Sequence, residues 1–205
     1  MRVEIAGESR AQAEGRNEDV WTQGQLPVPW AAVIDGAGNA QGCAKRASTL
    51  LETWISDLSL ARLLRDEDWI RLARRLDSAM QGGSQATMAL CAVLGDQAVV
   101  VTVGDGRAAL VRLEGHTDLL TLNTRCHLGS GEASPQVARV QLAPEDVIVL
   151  ASDAGWNPLG ESGVDAAVRK ALPGHFESLP GALLDSAPGA LTDDATVVTQ
   201  RILHG

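Results

Sequence analysis

Four aspartates in this chain each stand at the end of an apolar run, where carboxylates can face a shared site. They are Asp35 in WAAVIDGAGN, Asp105 in VGDGR, Asp153 in LASDAGW and Asp193 in LTDDAT, with Asn17-Glu18-Asp19 as a further acidic element near the start. A desolvated carboxylate is unfavourable unless a cation or hydrogen bonds compensate its charge. The set therefore predicts convergence on one or two hard divalent cations, which prefer oxygen ligands.

The overall charge argues against nucleic acid as a partner. The chain has 205 residues and a formal net charge of −9, so a basic surface is not expected. Its one arginine-rich stretch alternates with acidic residues and is interpreted as a solvated helix face. The arginines are Arg62, Arg65, Arg71, Arg74 and Arg75, and the acids are Asp66, Glu67, Asp68 and Asp77.

Cysteine usage and hydropathy predict a soluble protein of the reducing cytoplasm. Cys43, Cys91 and Cys126 are odd in number and form no C-x-x-C pair, which excludes a zinc ribbon or a redox pair. No signal peptide and no run of about eighteen apolar residues is present, so no membrane partner is expected.

The apolar pattern predicts strands and helices in separate groups rather than in strict alternation. Strands are predicted at 2–6, 30–35, 86–94, 97–103, 107–113, 147–151 and 195–202, with 86–113 as an antiparallel meander. Helices are predicted at about 40–59, 67–81 and 162–172, with a shorter one before 187. This grouping indicates one α+β domain over residues 1–205, in which helices flank two stacked, mainly antiparallel β-sheets.

Several common catalytic motifs are missing from the sequence. It contains neither a G-x-x-x-x-G-K-[ST] loop nor a G-x-S-x-G elbow, and no cysteine is followed by an arginine six residues later. The four histidines are scattered and form no metal motif. The remaining candidate site is the set of carboxylates described above, whose ligand atoms are all oxygens.

Six short elements, in order, resemble the metal-dependent protein phosphatase family (PPM, the type 2C Ser/Thr phosphatases). The family motifs are, in order, N-E-D, D-G-x-G, G-[ST]-x-A, G-D-S-R, S-D-G-L-W-D and D-[ND]-x-T-V. The corresponding segments of this chain, in the same order, are Asn17–Asp19, Asp35–Gly38, Gly83–Ala86, Gly104–Arg107, Ser152–Asn157 and Asp193–Val197. Each element alone is weak, but six in family order over residues 17–197 form a specific signal. The resemblance implies the compact bacterial type, with a fold of α-β-β-α layers.

The resemblance also implies the ligand set. Asp35 would bridge two Mn²⁺ or Mg²⁺ ions, and the Gly36 carbonyl would add a backbone oxygen. Asp153 and Asp193 would complete one site, and Glu18 and Asp19 would hold the second ion, partly through water. Asp105 matches the ligand of a weaker third metal. Asp194, at the variable Asn/Asp position, is predicted to tolerate asparagine.

The sequence also departs from the family. The phosphate-binding arginine is replaced by Glu14, so Arg16 is the expected anchor, with Arg10 as the alternative. Ala37 stands where eukaryotic members carry a histidine. Ala154 replaces a glycine and Asn157 an aspartate linked to the third metal. About 35 residues separate Arg107 from the strand at 147–151, which predicts a short or absent flap.

The expected function is hydrolysis of phosphoserine or phosphothreonine in proteins by a metal-activated water, in cytoplasmic signalling. The expected catalytic residues are Asp35, Asp153, Asp193 and Arg16, and the expected partners are phosphoproteins, with a cognate kinase or its substrate. One alternative is a catalytically weak pseudophosphatase that binds phosphoproteins as a regulatory module, which the altered arginine favours. Another is a hydrolase of small phosphate esters.

Overall fold

Ten strands in two five-stranded sheets form the centre of the described structure. The computed structural model describes residues 1–14, 16–37, 42–83, 85–121, 124, 126–172 and 174–204. The strands are β1 (Arg2–Arg10), β2 (Val20–Gly24), β3 (Trp30–Ala37), β4 (Gln85–Leu94), β5 (Gln97–Val103), β6 (Arg107–Val111), β7 (Thr117–Leu119), β8 (Gln136–Gln141), β9 (Val147–Ala151) and β10 (Ala195–Leu203). The first sheet has the order β1-β10-β9-β6-β7 and the second β2-β3-β4-β5-β8, with every pairing antiparallel.

Helices cover the outer face of each sheet. They are α1 (Cys43–Ser56), α2 (Leu60–Leu63), α3 (Asp66–Met80), α4 (Asp153–Trp156), α5 (Gly160–Ala171) and α6 (Leu179–Ser186), with a 3-10 turn at Phe176–Ser178. One apolar cluster packs α1 to α3 on the second sheet, and another packs α4 to α6 on the first. A third cluster joins residues of both sheets and fills the space between them. The predicted α-β-β-α architecture is confirmed.

The apolar pattern predicted the central strands but not three of the four edge strands. β2, β7 and β8 are edge strands, and their residues are mostly only half-buried. Because only part of such a strand faces the core, its sequence lacks a strong apolar pattern. The first predicted helix, 40–59, is observed as α1, while residues 38–41 lie outside the described residues, as does Ser84 of the third motif.

The predicted meander over 86–113 is wrong in its last strand. β4 and β5 form the expected hairpin, but β6 pairs with β7 and β9 in the other sheet. The turn at Gly104 therefore carries the chain from one sheet to the other. Gly104 has φ +84°, and a Cβ there would lie 2.8 Å from Cγ2 of Thr87. The crossing places Asp105 at an end of both sheets rather than at a hairpin tip.

The connection from β6 to β8 is short and held at several points. Thr124 donates its amide to the Gly104 carbonyl at 2.9 Å, and its Oγ1 accepts the Gly104 amide at 2.8 Å. Leu128 forms an isolated bridge with Ala86. Over its described residues the only regular element is β7, in agreement with the predicted short flap.

The predicted solvated face is observed for the five arginines, Asp66 and Glu67, which are exposed, but not for Asp68 and Asp77. Asp68 is 3% exposed and contacts Arg62 and Arg71 through Oδ1, at 3.1 and 2.9 Å. Asp77 is 4% exposed, and its carboxylate accepts backbone amides of the β6–β8 connection. Both carboxylates are structural, because each compensates cations or amides that would otherwise lack a partner.

No helix in the described part of the chain combines the length and hydrophobicity that a bilayer-spanning segment requires.

One polar side chain lies without a partner in the core between the sheets. Gln200 of β10 is 0% exposed and shares its face with Val198 and Ile202. Neither its Oε1 nor its Nε2 has a hydrogen-bond partner among the described residues. Burying an amide without partners is unfavourable by about 1–3 kcal/mol.

We therefore expect Gln200→Met, which is similar in volume and apolar, to raise the free energy of unfolding by about 1–2 kcal/mol. Urea denaturation measures this change. The matched control is Gln141→Met on the exposed edge strand β8, for which we expect a change within about 0.5 kcal/mol. A loss of stability in Gln200→Met would show that the amide is satisfied in solution.

Candidate metal centre

Asp35 and Asp105 are brought together by the strands of the second sheet. Asp35 lies near the end of β3, where Thr87 of β4 is its cross-strand partner. The Gly104 turn packs directly on Thr87, so Asp105, the next residue, is carried to the same end of the sandwich. This proximity has an electrostatic consequence, because the charge of Asp105 contributes to the raised pKa of Asp35.

The segment that carries Glu18 and Asp19 crosses next to Gly36. A Cβ at Gly36 would lie 3.0 Å from the Glu18 carbonyl oxygen and 3.4 Å from its Cβ. Any larger residue at this position would push the two segments apart. The glycine that follows Asp35 therefore allows the close approach of the Glu18–Asp19 backbone.

Asp153 and Asp193 reach the site from the first sheet. Asp153 is the first residue of α4 and directly follows Ser152, the residue after β9. The Ser152 amide donates to the Thr196 carbonyl at 3.0 Å, and the Thr196 amide donates to Oγ of Ser152 at 3.0 Å. These two bonds tie the end of β9 to the start of β10, where Asp193 precedes the strand.

Burial and mutual repulsion raise the pKa of Asp19 and Asp35. Asp19 is 5% exposed, and desolvation is the largest cause of its raised pKa, with the charge of Asp35 next. For Asp35 the largest cause is again burial, followed by the charge of Asp153, and those of Asp105 and Asp193 add to it. Side-chain hydrogen bonds from Thr196 and Ser152 lower the pKa of Asp19, but do not offset the burial.

The pKa of Asp153 is also raised, first by burial and then by the charge of Asp105. The backbone amide of Ala154 and the positive charge of Arg107 act in the opposite direction. Each of these carboxylates thus perturbs others of the set. Such mutual perturbation requires that the side chains lie close together, as in sites that bind cations or perform catalysis.

Two features of the described residues decide how well the set fits a metal. His, Cys, Asp and Glu side chains in the described ranges form no group of three or more that already surrounds one metal position. Oδ2 of Asp19, however, is buried without a hydrogen-bond partner among the described residues. A cation, a proton or a water molecule would satisfy such an oxygen, and a cation would in addition compensate the charge of the neighbouring carboxylates. The all-oxygen donor set therefore fits a hard divalent cation.

The arginines differ in how far they are engaged. Arg10 donates to Glu8 and Asp185 at 2.7 Å each, and to the Gly181 carbonyl at 3.3 Å. The Arg10 guanidinium is thus held by acceptors on β1 and α6. The Arg16 guanidinium is exposed and, among the described residues, donates only to the candidate ligand Glu18, from Nη2 at 2.6 Å and from Nε at 3.1 Å.

Glu14, at the position of the missing arginine, is exposed, as is Asn157 at the end of α4. The structure thus leaves Arg16 nearer to the carboxylates than Arg10, because its partner is one of them.

Sequence reasoning missed the role of Asp194. This residue is 8% exposed, whereas its neighbour Asp193 is exposed. Its two carboxylate oxygens accept the amides of Gln12 and Glu18 at 2.7 and 2.6 Å. Asparagine offers only one acceptor oxygen, so this geometry argues against the prediction that Asp194 tolerates asparagine. No local sequence signal marks the role, since the partners lie more than 170 residues away.

The fold is shared with solved bacterial phosphatases, although no family model and no curated protein matches this sequence. The S. agalactiae serine/threonine phosphatase has a TM-score of 0.85 and 18% identity, and the match covers 98% of this chain and 100% of the S. agalactiae chain. Serine/threonine phosphatase Stp1 from Staphylococcus aureus has a TM-score of 0.85 and 17% identity, with coverage of 100% and 96%. The catalytic domain of serine threonine protein phosphatase PstP, solved with two manganese ions, has a TM-score of 0.78 and 18% identity, with coverage of 98% and 99%. This chain therefore has the fold of these phosphatases over nearly its whole length.

Proposed function

We propose that this chain is a metal-dependent serine/threonine protein phosphatase of the PPM type. One observation carries the proposal: at one end of this fold Oδ2 of Asp19 is buried with no hydrogen-bond partner among the described residues, and burial, then the charges of neighbouring carboxylates, raises the pKa of Asp19, Asp35 and Asp153. A set of this kind, held at unfavourable electrostatic energy, is explained by a cation that compensates it. The likeness to metal-containing phosphatases supports the same conclusion.

The proposed ligands divide between two ions. Asp35, with the Gly36 carbonyl, would bridge two Mn²⁺ or Mg²⁺ ions. Asp153 and Asp193 would complete one site, and Glu18 and Asp19 the other. Asp105 would serve a third, weaker ion. When bound, the two ions would supply an activated water and neutralise the charge of the phosphoryl oxygens.

The protein's own groups would position the substrate. The Arg16 guanidinium would orient the phosphate through charge-assisted hydrogen bonds, once it leaves its partner Glu18. Asp19 is buried and Asp35 half-buried, so their charges are screened less by water and would interact more strongly with a bound cation. The fixed β9–β10 contacts hold Asp153 and Asp193 in register.

The proposed substrates are phosphoserine and phosphothreonine in proteins, with a cognate kinase or its substrate as partner and the cytoplasm as location. The short β6–β8 connection supports protein substrates, since it leaves no long cover between a phosphorylated chain and the carboxylates.

The direct test of function is hydrolysis of an aryl phosphate and of a phosphoserine peptide. We expect turnover with Mn²⁺ and its loss on addition of a chelator, because the carboxylates alone cannot neutralise the phosphate. The release of inorganic phosphate measures both reactions. Binding of Mn²⁺ without turnover of either substrate would instead identify a regulatory binding module.

Substitution of the bridging residue tests the ligand set. Asp35→Asn should remove the metal pair, because an amide oxygen lacks the charge to bridge two cations, and calorimetric titration with Mn²⁺ measures the loss. Asp185→Asn is the matched control, since Asp185 has 72% side-chain exposure and pairs only with Arg10. Wild-type Mn²⁺ affinity in Asp35→Asn would overturn the assignment.

Substitution of the arginines tests the phosphate anchor. Arg16→Ala should raise KM for aryl phosphate about ten- to a hundredfold, the loss of one charge-assisted contact. Arg10→Ala is the control, and its KM should stay within about twofold because Arg10 is committed to Glu8 and Asp185. Steady-state kinetics at saturating Mn²⁺ separates this effect from metal binding. An unchanged KM in Arg16→Ala would exclude this residue.

A further inference from the structure

Asp194 is a buried carboxylate whose two oxygens are both occupied by backbone amides. The amide of Gln12 donates to Oδ1 at 2.7 Å, and the amide of Glu18 donates to Oδ2 at 2.6 Å. The side chain is 8% exposed. Its sequence neighbour Asp193 is exposed, and Oδ1 of Asp193 accepts the amide of Asp194 at 2.8 Å.

The two amides lie on opposite arms of the loop that links β1 to β2. The Ala13–Arg16 bridge closes the tip of this loop, and Gln12 precedes it while Glu18 follows it. Gln12 also donates from Nε2 to the Thr192 carbonyl at 2.7 Å. Asp194 therefore joins both arms of the loop to the start of β10, in the other half of the chain.

A second side chain holds the next amide of the loop. Oδ1 of Asn17 accepts the amide of Asp19 at 3.0 Å, and Nδ2 of Asn17 donates to Oγ of Ser9 at 2.8 Å. The consecutive amides of Glu18 and Asp19 are thus fixed by separate partners. Because the Glu18 carbonyl also packs against Gly36, the backbone that bears both carboxylates is set relative to Asp35.

Electrostatics alone does not explain a carboxylate at position 194. Its charge is one of the causes that raise the pKa of the nearby Asp19, so it adds repulsion to a site already crowded with acids. What it contributes is geometry, because two converging N–H donors need two acceptors. An asparagine would satisfy one donor and turn its own NH₂ group toward the other.

We propose that Asp194 is a positioning residue that clamps both arms of the β1–β2 loop, and thereby sets Glu18 and Asp19 against Asp35. The clamp itself is a property of the folded chain. Its effect on metal binding rests on the proposed function. Two measurements separate these parts.

The first measurement is amide hydrogen exchange in the metal-free protein. We expect slow exchange at Gln12 and Glu18 in the wild type. In Asp194→Asn at least one of the two should exchange about tenfold faster or more, as the loss of one buried hydrogen bond predicts. Fast exchange at both amides in the wild type would contradict the clamp, even if the variant did not fold. Asp185→Asn, the same change at an exposed site, should leave both rates unchanged.

The second measurement is Mn²⁺ affinity and turnover of aryl phosphate, well below the unfolding temperature. Asp194→Asn should weaken binding of one of the two ions about tenfold, and lower kcat about tenfold while KM changes by less than about twofold. A purely structural role would lower the thermal midpoint and leave Mn²⁺ affinity and kcat intact, which would overturn the positioning role. If the wild type bound no Mn²⁺, the proposed function would fail while the exchange result still tested the clamp.

Discussion

Repulsion among carboxylates is the constraint that the rest of this structure has to offset. Two like charges about 4 Å apart repel by about 4 kcal/mol at an effective dielectric constant near 20. The fold places Asp19, Asp35 and Asp153 at one end of the sandwich despite this, where burial and then the charges of neighbouring carboxylates raise the pKa of each. The three apolar clusters, which are far from water, provide the stability that allows the sheet ends to remain in place. The end of the sandwich that bears the carboxylates is therefore held in place by the core.

The architecture and the carboxylate positions were accessible from sequence, for different physical reasons. Central strands such as β4 and β9 are buried on both faces and read as continuous apolar runs. Asp35, Asp105 and Asp153 were found because each lies at or just after the end of such a run, while Asp193 lies just before one, β10. The edge strands β2, β7 and β8 were not predicted, because a strand that is partly exposed to solvent can contain many polar residues and then lacks an apolar pattern. The crossing at Gly104 was missed because a tight turn has the same local sequence whether the next strand joins the same sheet or the other one.

The remaining errors concern acids whose role depends on distant backbone. Asp77 accepts amides of Gly129, Gly131 and Ala133, more than 50 residues away along the chain. Asp194 does the same for the loop near the start of the chain. A carboxylate that faces N–H groups and one that faces a cation are the same residue in a sequence. Only the fold shows that Asp194 faces two backbone amides of a distant loop, while its exposed neighbour Asp193 accepts only the amide of Asp194 among the described residues.

The β6–β8 connection is attached to the sandwich at separate points. Thr124 is bonded to the crossing turn at Gly104, Leu128 is bridged to β4, and Asp77 of α3 holds the residues that follow. Each attachment involves a different element of the sandwich. The attachments therefore do not fix the number of residues in the segments between them. Doubling a flexible loop adds only about 0.6 kcal/mol of closure entropy. The length of this connection can therefore change without disturbing the register of either sheet, and such a change would alter which molecules reach the carboxylates at the sheet ends.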